Sequence, residues 1–199
     1  MHEQIRTRIA PSPTGFPHIG TIYQVLFDYA VARKYNGKFV LRLEDTDRAR
    51  LVEGAEDVVY ASLKWFGLSP DESPEVGGPY GPYRQSERLE IYKPYVEKLI
   101  KDGHAYYCFC TRERLEEMRK QQEAEHKPPM YDKKCRMLGN EEIAQKLNDG
   151  LGYVVRMKIP ENEIIGFDDV LSGRIEFKSD VIDEQVIMKS DGFPTYHLA

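Results

Sequence analysis

A short string near the start of the chain, Ala10-Pro-Ser-Pro-Thr-Gly-Phe-Pro-His-Ile-Gly-Thr21, carries residue types suited to phosphate. It sits between an alternating polar–apolar segment, Ile5 to Ala10, and a run with helical spacing from Thr21. A helix N-terminus offers free backbone N–H groups and the positive end of a dipole, which favours anions. Gly20 lets a flat group approach the backbone with no Cβ in the way. Thr14 and His18 can donate hydrogen bonds to phosphate oxygens that gain charge as a leaving group departs. A Pro-rich loop holding a chance histidine accounts for the same residues equally well.

A second cluster is built for metal. Cys108-Phe-Cys110 opens a stretch that closes with Tyr131-Asp-Lys-Lys-Cys135. Two thiolates at C-x-C spacing and a third from a later turn can hold zinc, which takes four ligands. His104 and His126 are candidates for the fourth, and three reduced cysteines without metal remain the alternative. The charged run Arg112 to Lys120 reads as a solvated helix face with i,i+4 pairs, not as a nucleic-acid patch.

The elements that must position these residues follow from periodicity. A strand is expected at Ile5–Ala10. A helix follows from Thr21, with Ile22, Val25, Leu26, Tyr29 and Ala32 on one face, and Asn36-Gly37 ends it. Lys38 to Glu44 reads as the next strand. A helix from about Gly54 to Gly67 then places Val58, Val59, Ser62, Leu63 and Phe66 near one face. Alternating strand and helix predict a parallel sheet covered by helices, an α/β fold. The Pro-, Gly- and acid-rich segment Ser69 to Pro82 suggests a boundary. Beyond it come helices at Ser86–Asp102 and Thr111–Glu125 with a cysteine-bearing turn between them, strands at Tyr153–Ile159 and Gly173–Phe177, and a buried strand at Gln185–Lys189. That texture is a mixed α+β insertion. Domains at 1–80, 81–184 and 185–199 are therefore expected, the last opening with a strand that returns to the parallel sheet.

Bulk numbers exclude some classes. The chain has 199 residues, 41% apolar and 31% charged. No apolar run approaches the roughly 20 residues of a membrane span. Met1 to Arg8 is polar, which does not suit a signal peptide. Three cysteines, an odd number, point away from a disulfide framework and toward a reducing cytoplasm. The net charge of -5 gives no sign of a nucleic-acid partner, although a local basic groove is enough for one.

His18-Ile-Gly-Thr21 resembles the "HIGH" signature of class I aminoacyl-tRNA synthetases, with Thr in the fourth position as glutamyl enzymes commonly have. The longer string Arg8-Ile-Ala-Pro-Ser-Pro-Thr-Gly15 resembles glutamyl-tRNA synthetases in particular. So do Arg42-Leu-Glu-Asp-Thr-Asp-Arg-Ala-Arg50, Gly78-Pro-Tyr-Gly-Pro-Tyr-Arg-Gln-Ser-Glu-Arg88 and Lys189-Ser-Asp-Gly-Phe-Pro-Thr-Tyr-His-Leu-Ala199. The resemblance covers essentially the whole chain.

It implies the first half of a Rossmann-type sheet with an inserted connective-peptide domain for the tRNA acceptor end. It implies catalytic roles for Thr14, His18 and Gly20, and ATP contacts from these and Thr21. Arg8, Ala10, Ser12, Glu44 and Tyr196 match positions that contact glutamate. An arginine fork suits the side-chain carboxylate, and Glu44 suits the α-ammonium. Taken alone, Arg8 and Glu44 more readily pair with each other or with solvent. Asp45, Asp47, Arg48 and Arg50 have no evident catalytic role, and Asp47 suits the cap of the following turn. The resemblance points to Tyr131 as the fourth zinc ligand beside Cys108, Cys110 and Cys135. Expected partners are ATP with Mg2+, L-glutamate and the acceptor end of tRNA-Glu, in a monomer without membrane. A glutamyl-queuosine tRNA-Asp synthetase and a non-catalytic nucleotide- or RNA-binding module are the other readings. No "KMSKS" string occurs. That loop, a second substrate arginine and an anticodon-binding region are expected beyond Ala199, so the chain reads as a fragment inactive alone.

Overall fold

A computed structural model describes residues 4–199. The expected polar start at residues 1–3 lies outside them. Two compact units divide the chain, one up to Glu90 and one from Ile91 to Ala199.

In the first unit, β1 (Arg6–Ile9) and β2 (Lys38–Leu41) pair in parallel, with Arg8 opposite Val40. Parallel neighbours need a crossover, and α1 (Ile19–Lys34) provides it. Its buried stripe is Ile22, Val25 and Ala32, with Tyr29 packed alongside, as the spacing predicts. Leu26 is exposed. The helix starts at Ile19 and not at Thr21, because His18 takes the capping position. Asn36 ends it in a left-handed conformation. Gly37 follows because a Cβ there would stand 2.3 Å from the Ile5 carbonyl oxygen.

The helix α2 (Ala55–Trp65) buries Val59 and Leu63 against Phe39, Leu41 and Leu43. Val58 and Phe66, expected on the same face, are exposed. The Pro- and Gly-rich segment differs from its expected role as a boundary. It runs along the second edge of β2, with Leu41 N–H donating to the Glu72 carbonyl at 2.9 Å and Leu43 N–H to that of Tyr83 at 2.9 Å. The buried Glu72 carboxylate accepts from Arg6 and from the Tyr83 hydroxyl. Arg84 pairs with Glu56, and Asp45 accepts both the Ser86 N–H and its hydroxyl. These ties carry the first unit past residue 80, up to Glu90.

The second unit opens with most of α3 (Leu89–Lys101), which follows a 3₁₀ turn at Gln85–Arg88. Then come β3 (Ala105–Cys108), α4 (Arg112–Ala124) and α5 (Asn140–Asn148). They are followed by β4 (Val154–Met157), β5 (Ile164–Asp169), β6 (Gly173–Lys178) and β7 (Val186–Met188). The strands β3, β4 and β7 form an antiparallel sheet in that order, and β5 pairs with β6 as a hairpin. Tyr92 and Val96 of α3 pack on Ala105, Val155, Ile187 and Met188. Three elements escaped the sequence reading: β3, taken as a cysteine-bearing turn, β5 and α5. The strand at 186–188, expected to return to the parallel sheet, instead hydrogen-bonds to β4.

Glu184, 1% exposed, ties the second unit together. Its carboxylate accepts from the Tyr106 hydroxyl, from Arg136 and, at 3.2 Å, from the Ile159 N–H. A buried carboxylate survives only when paired and hydrogen-bonded in this way. Burial and the adjacent Glu184 push the Tyr106 hydroxyl well above its ordinary range.

The buried face of α2 gives a stability test. Leu63, 2% exposed, should cost about 2–5 kcal/mol of unfolding free energy when changed to Ala. Val58→Ala, at 37% exposure, should stay within about 0.5 kcal/mol. Denaturant unfolding of both variants checks the contrast. Equal losses would mean that the face is wrongly oriented.

Candidate functional site

The turn from β1 into α1 brings several of the predicted residues to the carboxyl ends of the parallel strands. That is where open α/β sheets bind ligands. The chain leaves β1 at Ile9, and the Glu44 N–H donates to the Pro11 carbonyl at 3.0 Å. The Val52 N–H donates to the buried Pro13 at 2.9 Å. The Ser12 hydroxyl donates to the Glu44 carbonyl at 2.9 Å. The loop holding Ala10, Ser12 and Thr14 is thus stitched to the segment that follows β2. Ala10 and Thr14 are half-buried.

His18 caps α1. Its Nδ1 accepts the Gly20 N–H at 3.0 Å, and its carbonyl accepts the Thr21 N–H at 2.8 Å. The sequence reading expected free N–H groups at this helix start, but those of Gly20 and Thr21 are taken by His18. With Nδ1 accepting, the neutral ring carries its proton on Nε2. That N–H belongs to an exposed side chain and can donate outward. Gly20 has a local reason as well: a Cβ there would meet the imidazole at 2.9 Å. Only glycine lets the ring fold over its own helix start.

Arg8 and Glu44 extend from neighbouring rails of the sheet and form a loose ion pair at 3.7 Å. The contact is partly exposed, so it is weak and opens at little cost. Arg42, not singled out from the sequence as a site residue, donates to the same Glu44 oxygen through Nε at 3.2 Å and Nη2 at 3.0 Å. It fixes the carboxylate's orientation. Asp47 does not cap the turn after it: its carboxylate accepts from the Arg50 side chain at 2.7 Å. Asp28, on α1, is lifted by burial and pulled back by Arg8, and one of its oxygens is buried without a partner. Tyr196 lies in the second unit, 77% exposed.

The cysteine cluster forms in the second unit as the spacing predicts. The sulfurs of Cys108, Cys110 and Cys135 all lie within 4.8 Å of one another. The Tyr131 hydroxyl sits 3.4 Å from the Cys108 sulfur and 3.3 Å from that of Cys110. It also accepts the Cys135 N–H at 3.0 Å. Cys108 is on β3, and Cys135 is in the 3₁₀ turn Lys134–Met137, which β3 packs against. The left-handed Lys133 and the bond from Tyr131 N–H to Asp183 Oδ1, 2.8 Å, shape the loop that returns Cys135. Three thiols and one phenol converging in a largely buried pocket match the four-ligand, sulfur-rich set that suits zinc. Hydrogen bonds from Cys135, Tyr131 and Arg156 hold the Cys108 thiol far below its usual range, while burial pushes the Tyr131 hydroxyl up. His104 and His126 stand outside this group.

Two cations beside the cluster escaped the sequence reading. Arg114 Nη1 donates to the Cys110 sulfur at 3.4 Å, and the Arg156 guanidinium lies 3.9 Å over the Tyr131 ring. A lone arginine inside the otherwise apolar run Tyr153 to Met157 was the one available signal for the second.

Among the described residues no helix is long and apolar enough to cross a membrane. The family described as tRNA synthetases class I (E and Q), catalytic domain, matches residues 4–199. A glutamate–tRNA ligase from Rhizobium meliloti is 53% identical over 195 residues, covering 98% of this chain and 40% of the relative. One from Gloeobacter violaceus is 55% identical over 193 residues, covering 97% of this chain and 36% of the relative. A solved glutamate tRNA ligase from Elizabethkingia meningosepticum, in complex with its amino acid, superposes with a TM-score of 0.92 at 41% identity. It is matched over 98% of this chain and 40% of its own. The chain therefore spans about two-fifths or less of the length of these relatives. With a mixed α/β architecture and a family match from residue 4 to residue 199, the chain belongs to the family of class I tRNA synthetase (E and Q) catalytic domains.

Proposed function

We propose that this chain is the ATP- and glutamate-binding part of a glutamate–tRNA ligase. The first unit is read as one half of a Rossmann-type sheet and the second as the connective-peptide domain that receives the tRNA acceptor end. The observation that carries this reading is the Arg8–Glu44 pair at the carboxyl ends of two parallel strands, beside a helix start capped by His18. Relatives that are glutamate–tRNA ligases, one of them solved with its amino acid, support the choice of substrate.

The chemistry follows from charge. Free glutamate brings one ammonium and two carboxylates. On binding, the loose Arg8–Glu44 pair opens and each partner gains a substrate charge: Arg8 the side-chain carboxylate and Glu44 the ammonium. Arg42 keeps Glu44 aligned throughout. The α-carboxylate oxygen then attacks the α-phosphorus of ATP, with Mg2+ on the phosphates, and pyrophosphate leaves. The His18 Nε2–H donates to phosphate oxygens as their charge grows, and Thr14 and Thr21 line the same turn. Gly20 keeps the approach open. In the second step a hydroxyl of the terminal ribose of tRNA-Glu attacks the carbonyl carbon and AMP departs. Ala10 and Ser12 complete the amino-acid contacts of the first unit in this reading, and Tyr196 is assigned to glutamate by the resemblance alone.

Cys108, Cys110, Tyr131 and Cys135 hold zinc in this proposal. When bound, the metal supplies structural cross-linking of β3 to the loop before α5. The four residues supply charge and geometry, and no step of the reaction passes through them.

Three outcomes follow. Arg8→Ala, in a protein carrying this domain at its relatives' length, should raise the KM for glutamate by roughly tenfold to a hundredfold, from the loss of a charged hydrogen bond of about 1.5–3 kcal/mol. Its KM for ATP should barely move, and equal changes in both would assign Arg8 to supporting the loop. His18→Ala should instead lower kcat in glutamate-dependent pyrophosphate exchange by roughly a hundredfold, with a smaller effect on glutamate KM. Normal exchange in that variant would remove His18 from catalysis. Elemental analysis of chain never exposed to chelator should find about one zinc per molecule, and metal-free protein would sink the zinc reading.

A further inference from the structure

Arg156 has a partner problem. It is 5% exposed, in the middle strand of the antiparallel sheet. Its Nη1 donates to the Glu184 carbonyl at 2.8 Å, and its guanidinium lies over the Tyr131 ring. Its Nε is buried with no acceptor. Among the described residues no carboxylate is within ion-pair distance of it, because the Glu184 carboxylate is spent on Arg136 and Tyr106. A buried guanidinium with no counter-charge is costly, so an anion is expected beside it.

The cysteine cluster supplies that anion. Zinc is a dication. Three thiolates around it leave one net negative charge, and a phenolate fourth ligand leaves two. Two cations border the cluster: Arg156 against Tyr131, and Arg114 against Cys110. Asp132 accepts from Arg114, and Asp183 accepts the Tyr131 N–H.

We propose that Arg156, assisted by Arg114, is the counter-charge of the zinc-bound cluster and the positioning residue that sets Tyr131 as its fourth ligand. The proposal rests on the zinc reading above. The ring contact does two things at once. It places the phenol between Cys108 and Cys110, and it lowers the energy of negative charge on the phenol oxygen as zinc binds. Lysine in the same place keeps the charge and loses the planar fork that stacks on Tyr131 and reaches the Glu184 carbonyl. Methionine fills the space and loses the charge.

The test uses the purified chain, zinc competition against a chromophoric chelator, and the absorption of the cobalt-substituted site. Arg156→Met should weaken zinc by roughly tenfold to a hundredfold and shift the cobalt bands, as loss of an outer partner does at metal sites. Arg156→Lys should recover most of that affinity, since charge decides it. Circular dichroism of the zinc-loaded variants checks that the fold persists. If Arg156→Met does not fold, Arg114→Gln carries the test, because that side chain is partly exposed at the cluster's rim. It should lose zinc affinity several-fold. Unchanged affinity and cobalt spectrum in Arg156→Met, or in Arg114→Gln where the first cannot be loaded, would overturn the proposal while leaving the zinc reading intact. So would a lysine variant as weak as the methionine one. A wild-type chain that takes up no zinc fails both readings at once and is told apart from the first outcome by that control.

Discussion

Parallel pairing of β1 with β2 is the constraint from which the first unit follows. Two parallel neighbours cannot be joined by a tight turn, so the chain must cross over, and α1 is that crossover. The crossover leaves β1 at its carboxyl end and begins its helix there. One geometric necessity thus brings Arg8, the Pro-rich loop and the His18 cap to the same edge as Glu44. The segment 71–85 then pairs along the other side of β2 and closes it in. Phe39, Leu41 and Leu43 become fully buried as a result, and their burial holds the rails that present the charged ends.

Charge at that edge is kept poised and not neutralised for good. Arg8 and Glu44 touch at a distance typical of weak, exchangeable pairs, whereas Arg42 is held close to Glu44. A carboxylate held loosely by Arg8 and firmly by Arg42 can exchange one partner without losing its geometry. The second unit uses charge the opposite way. Glu184 is sealed in by Arg136, Tyr106 and the Ile159 N–H, and its role is to fix the packing around the cysteine loop.

The strings that carry chemistry were legible because they are local. C-x-C brings two sulfurs together whatever surrounds it, whereas the His18 cap over the Gly20 N–H went unread because the helix was expected to start at Thr21. Helix faces with clear periodicity, such as Ile22, Val25 and Ala32, were equally readable. Failures fell where local pattern is ambiguous. Ala105 to Cys108 is too short and too aromatic to separate strand from turn, and only pairing with β4 makes it a strand. The segment from Ser69 to Pro82 has the composition of a linker, yet Glu72 and Tyr83 bind it into the sheet.

The sequence by itself determined the Pro-rich turn between strand and helix, the parallel α/β start and the metal-capable cysteines, since each depends on residues close in the chain or on periodicity. Only tertiary structure decided what each charge faces. It showed that Arg42 aligns Glu44, that Asp45 is committed to Ser86, that Val186–Met188 pairs with β4, and that Arg156 lies on Tyr131. The reason is physical: a charged side chain is set by its nearest partner in space, and for pairs such as Asp45 with Ser86 or Arg156 with Tyr131 that partner is far away in the sequence.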